Sequence, residues 1–120
     1  MSVFLHNWAD NGLAGVKDDF GITDADLVDV EVLLAAYEYE DYEGSAYVLF
    51  RKGNDLFEVV AGHCSCFGLS GSDYSGNSTT QWQPEATSVA AVRHRLDTAF
   101  EFSMCREQLR AVLDAEDSQP

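Results

Sequence analysis

Basic residues are scarce in this chain: seven lysines and arginines stand against twenty-one aspartates and glutamates, a net charge of −14. Two stretches, Asp18 to Phe50 and Gly53 to Val92, contain no lysine or arginine at all. Nucleic-acid affinity is largely phosphate neutralisation by lysine and arginine, so this shortage argues against direct binding to DNA or RNA. Long apolar runs are also missing, and nothing of eighteen or more residues reads as a membrane span. The first residues, Met1 to Trp8, lack the basic start and apolar run of a secretion signal. Cysteine is sparse and odd in number, three in all, with Cys64 and Cys66 close together. That is no secreted disulfide framework, and the expected compartment is the cytosol. Phosphate-cradling glycine loops, the EF-hand spacing and the His-Glu-x-x-His pattern do not occur.

What is present argues for one folded domain spanning 1–120. Apolar residues make up 46% of the chain, enough for a core in spite of the charge. Trp8, Leu13, Val16 and Phe20 recur near helical spacing and predict a helix over 9–20 ended by Gly21, with Gly12 and Gly15 as weak points. Thr23 reads as the N-cap of a short acidic turn through Leu27. Val30 to Glu40 reads as a long strand, Asp41 to Gly44 as a turn, and Ala46 to Phe50 as a second strand. Lys52-Gly53-Asn54 is a hairpin signal, and Leu56 to Val60 is a third strand.

Ser70 to Thr80 is almost wholly small and polar and reads as an exposed, mobile loop. Gln81 to Gln83 reads as a short edge strand stopped by Pro84. Thr87 or Ser88 caps a helix carrying Val89, Val92 and Leu96 on one face. A last helix places Phe102, Cys105, Leu109, Val112 and Leu113 on one stripe, before a polar tail over 115–120. The expected class is α+β, a three- or four-stranded antiparallel sheet with helices packed on it.

Two constellations have chemical character. The first is acidic: Glu38, Glu40, Asp41 and Glu43 at the end of a hairpin, with Asp24, Asp26 and Asp29 as a secondary group. Carboxylates mixed with Tyr37, Tyr39, Tyr42 and Tyr47 suit an arginine-rich protein partner, although tyrosines at these positions also serve as ordinary sheet packing. The second is His63, Cys64 and Cys66, which Cys105 and a further histidine would complete as a zinc set. Only one tight ligand pair exists, so no metal or other cofactor is expected. His63 and Cys64 point oppositely along a strand and do not form a ready catalytic dyad, and no enzyme is expected.

The strings Leu33-Leu34-Ala35-Ala36-Tyr37, Tyr42 to Phe50, His63-Cys64-Ser65-Cys66-Phe67-Gly68-Leu69 and Gln81-Trp82-Gln83-Pro84-Glu85 together resemble a family of small bacteriophage proteins of unassigned function. The resemblance covers roughly Leu33 to Leu96, and the His-Cys-Ser-Cys-aromatic-Gly-Leu string is its most specific part. In the family pattern that string runs almost directly into Gln-Trp, so Ser70 to Thr80 is an insertion here. The family carries no catalytic residues over. The resemblance implies phage or prophage origin and action in the host bacterial cytoplasm. By analogy with other small acidic phage proteins, it points to an inhibitor of the anti-CRISPR or anti-restriction type, binding a basic host protein that itself binds nucleic acid. The alternatives are a metal-binding or thiol protein built on the cysteine cluster, and an accessory protein whose acidity serves solubility alone.

Overall fold

A computed structural model describes residues 3–6, 8–40, 43–63, 70–72, 78–80, 82–99, 102–103 and 105–117. Its centre is strand β2, Val30–Glu40, flanked by β1, Val3–His6, and β3, Glu43–Lys52. Beyond β3 lies β4, Asp55–His63. The sequence of β2 is apolar at consecutive positions, and a bulge accounts for it. Val32 faces Phe50 and Leu34 faces Leu49, leaving Leu33 as the extra residue. Val32, Ala35 and Tyr37 therefore enter one core while Leu33, Leu34 and Ala36 enter another. A strand apolar on both faces needs cover on both.

Helix α1, Leu13–Phe20, covers one face with Val16 and Phe20, joined by Trp8. The rings of Trp8 and Tyr37 lie 5.2 Å apart, and the indole N–H donates to Asp19 at 2.7 Å. Two further helices, α2 at Val89–Arg95 and α3 at Arg106–Asp117, cover the other face through Val92, Leu96, Leu109 and Leu113. Gly15, a weak point by helix propensity, has a packing reason. A Cβ added there would lie 2.9 Å from Cδ1 of the buried Trp8 ring. Gly15→Ala is therefore expected to destabilise by about 1–3 kcal/mol, against the ~1 kcal/mol gain that helix propensity alone gives. Urea denaturation of the two proteins checks the sign.

The α+β class stands, with corrections to the sheet. It has five strands in the order β1-β2-β3-β4-β7, where β7 is Glu85–Thr87, and is mixed, because β1 runs parallel to β2 while the other pairs are antiparallel. The parallel pair is possible because α1 supplies the crossover between β1 and β2. The expected edge strand at Gln81–Gln83 falls on the wrong side of Pro84. The pairing strand is β7, Glu85–Thr87, as befits a residue with fixed φ and no N–H just before a ladder. Trp82 instead packs between Phe20 and Phe50.

The hairpin at Gly53 forms with φ of 65°, and Ser88 caps α2 by accepting from the Ala91 N–H at 3.1 Å. The first helix starts at Leu13 rather than at 9, since Gly12 has φ of 57°. Ala115 to Asp117 belong to α3, not to a tail. Within the expected loop, β5, Ser70–Ser72, pairs with β6, Ser78–Thr80, as a separate two-stranded ladder; residues 73–77 lie outside the described residues.

Candidate interaction surface

Six of the seven cations are engaged locally. Lys17 donates to Asp24 at 2.8 Å, Arg93 to Asp114 at 2.7 Å and Arg110 to Asp97 at 3.1 Å. Arg51 is paired with Glu116, and Arg95 with Glu58. Arg106 donates to the carbonyl oxygens of Leu96 at 2.6 Å and Ala99 at 3.1 Å, beyond the end of α2. Local ion pairs take up five of the seven positive charges, and the acidic excess sets the outer field.

Strand β2 separates the expected acidic residues into two groups. Asp29 just precedes it and Glu40 ends it. At about 3.3 Å per residue, its eleven residues put the groups more than ~30 Å apart. They do not form one patch.

At the hairpin end, Glu38 is exposed, and its Oε2 lies 3.8 Å from Nε2 of His6. Glu40 and Glu43 occupy facing positions on the last rung of the β2–β3 ladder. Like charges directly opposite one another destabilise a sheet. This rung would favour opposite charges or an apolar pair, yet it holds two carboxylic acids with Asp41 next in sequence. Asp41 and Tyr42 lie outside the described residues.

The second group sits at the other end of β2. Thr23 and Asp26 form a capping box around the 3₁₀ turn Asp24–Leu27, and Asp26 accepts from the Thr23 N–H at 3.0 Å. Asp24 is held below its ordinary carboxylate pKa, first by its hydrogen bond from Lys17 and then by that ammonium charge. Asp29 is exposed in the left-handed region, φ 61°, which aspartate tolerates better than most residues.

Two of the four tyrosines are packing residues. Tyr37 and Tyr47 are buried, the latter edge-on to Phe102 at 4.8 Å, so neither is a contact anchor. Tyr39 and Tyr42 carry no described side chain. Of the cysteine cluster, Cys64 and Cys66 lie outside the described residues, and His63 is placed only as the end of the β3–β4 ladder, opposite Gly44. Among the described residues no group of three or more His, Cys, Asp or Glu could hold a metal ion.

Cys105 lies in the core under α3, and burial pushes its thiol up to about 11. The folded state thus favours the protonated thiol. That contribution is complete below the ordinary value of 9.0 and is lost as pH climbs towards about 11. Cys105 should resist iodoacetamide in the native protein at pH ~8 and react only on denaturation, since the thiolate is the nucleophile. Peptide mass spectrometry separates it from Cys64 and Cys66.

One further constellation has no local signature in the sequence. Glu58 on β4 is buried, and both its oxygens accept from one nitrogen of Arg95, whose guanidinium also lies 5.1 Å over the Phe102 ring. Val60, Gln83 and Glu85 complete a shallow cleft of about 210 Å³ around the pair. The available signal was a lone acid at an inward position between Leu56 and the cover of α2. The pair locks α2 to the sheet, and its charges neutralise each other.

Among the described residues no helix is long and apolar enough to cross a membrane. No family model matches the chain, and no similar curated protein or solved structure is found.

Proposed function

We propose that this protein is an inhibitor that presents carboxylates in place of a nucleic-acid backbone and occupies a basic channel on a nucleic-acid-binding partner. The observation that carries this reading is the Glu40–Glu43 rung. Two acids are retained at facing register positions, a pairing that costs a hairpin stability, with Glu38 and Asp41 close in sequence, while five of the seven cations are held in local ion pairs. The sheet has a second facing pair of acids, Glu58 and Glu85 across β4 and β7, and there Arg95 is bound to Glu58.

The dimensions support the same reading. The molecule is 47 Å long, and duplex DNA of that length carries roughly 28 phosphates. A net charge of −14 is about half that number, of the order of what one side of a duplex presents. The two acidic ends of β2 lie roughly one duplex turn apart, ~34 Å. In keeping with the resemblance to phage proteins, the partner is a bacterial defence complex of the CRISPR or restriction type, met in the host cytoplasm. The chain acts by binding alone and carries out no catalysis.

The test is affinity capture from nuclease-treated bacterial lysate, with the retained proteins identified by mass spectrometry. The expected partner has a basic nucleic-acid channel. Retention only of proteins without nucleic-acid-binding activity counts against the reading.

A further inference from the structure

The shallow cleft beside α2 holds an unmatched charge. Among the described residues it is lined by Glu58, Val60, Gln83, Glu85 and Arg95, around a volume of about 210 Å³. Glu58 and Glu85 face each other across the β4–β7 ladder, which sets their Cβ atoms roughly 5 Å apart. One cation serves these two acids. Arg95 gives one nitrogen to both oxygens of Glu58 and lies over the Phe102 ring, so it is committed to the inner acid. Glu58 is buried. Glu85 is exposed at the mouth, and among the described residues its carboxylate has no hydrogen bond or ion pair. Val60 is 50% exposed and stands two residues along β4 from Glu58, on the same face of the sheet. The cleft therefore offers one surplus negative charge, an apolar wall and the amide of Gln83.

We propose that this cleft binds one guanidinium group carried on an aliphatic stem. The charged head pairs with Glu85 at the mouth, and Gln83 accepts a further N–H through its carbonyl oxygen. The stem lies along Val60. A guanidinium suits the cleft better than an ammonium, because its planar fork donates in parallel to a carboxylate and has donors left for the amide. It is also more weakly hydrated, so it loses less on leaving water for a half-enclosed site. An anion would meet Glu85 and find Arg95 already taken by Glu58. A purely apolar ligand would cover the Glu85 carboxylate without pairing it. The site is built from β4, β7 and the end of α2, apart from the hairpin carboxylates, and it requires nothing of the nucleic-acid reading.

The same chemistry comes from a free guanidine or from an arginine side chain of a protein, and two probes separate these sources. The full chain, labelled at valine methyls and glutamine amides, is titrated at constant ionic strength with n-butylguanidinium and with N-acetyl-arginine N-methylamide. The Val60 methyls and the Gln83 side-chain amide should shift together and saturate in the millimolar range, as so few ligand atoms allow. Glu85→Gln should weaken binding about five-fold, the worth of an exposed ion pair. Val60→Ala should weaken it about three-fold. Both positions are exposed, so these variants should keep the native spectrum elsewhere. n-Butylammonium should bind several-fold more weakly than n-butylguanidinium. Neutralising Glu38, Glu40, Asp41 and Glu43 should leave the affinity for n-butylguanidinium unchanged.

Saturation by both probes assigns the cleft to an arginine of a protein, and saturation by n-butylguanidinium alone assigns it to a free guanidine. Shifts without saturation, undiminished binding by Glu85→Gln, or equal binding of n-butylammonium would each overturn the inference. Those failures leave the hairpin reading standing. Conversely, a hairpin that does not compete with nucleic acid leaves the cleft untouched.

Discussion

Replacing Glu58 by alanine is expected to lower the stability of the fold by about 2–3 kcal/mol. Breaking a buried ion pair costs roughly 3–5 kcal/mol because the remaining charge is left in a poor solvent. The Arg95 side chain is 35% exposed, and water reaches part of that charge, which sets the smaller figure. For a chain of this size the melting temperature should fall by roughly 10 °C. The partner experiment gives the sign of the pair itself. Glu58→Met with Arg95→Met removes both charges and fills the cleft with apolar atoms, and should return the stability to within about 1 kcal/mol of the native protein. Calorimetry on the single and double variants closes the cycle. A double variant as unstable as the single would show that the pair contributes more than charge compensation.

The second large effect separates stability from binding. Glu38→Gln, Glu40→Gln, Asp41→Asn and Glu43→Gln together should slow association with the partner ten-fold or more, since steering by such fields changes on-rates by 10–10³. The same variant should melt no lower than the native protein, and slightly higher, because relieving a facing like-charge pair is worth roughly 0.2–1 kcal/mol. A loss of binding with a gain in stability marks residues kept for a partner. The control must not disturb structural pairs. Asp97, Asp114 and Glu116 are held by Arg110, Arg93 and Arg51, so neutralising them would break those pairs as well as remove charge. Asp10, Asp18, Asp55 and Glu107 are exposed and serve instead. Equal slowing by both sets would assign the effect to net charge.

The central hairpins, the capped turn at Thr23 and the Ser88 cap were legible because local chemistry decides them. Gly53 sets its own turn, and Ser88 accepts the N–H of Ala91. The edges of the sheet were not legible. Val3–His6 and Glu85–Thr87 are strands of four and three residues whose pairing depends on partners distant in sequence. The apolar character of β2 on both faces was legible in the run from Val30 to Leu34, but the bulge at Leu33 that produces it needed the fold. The acidic residues at the hairpin were visible as a run, but their facing register at Glu40 and Glu43 needed the fold. The Glu58–Arg95 pair joins positions 37 residues apart, and no local pattern announces it.

The central claim is that the carboxylates stand where a nucleic-acid backbone would. Its most direct test is equilibrium competition on the captured partner, preloaded with its labelled nucleic acid and titrated with this protein. Stoichiometric displacement is expected that weakens steeply as salt rises past ~0.1 M, and that is lost in the hairpin variant but kept in the control. A ternary complex, with protein and nucleic acid bound together at saturation of both, would contradict it.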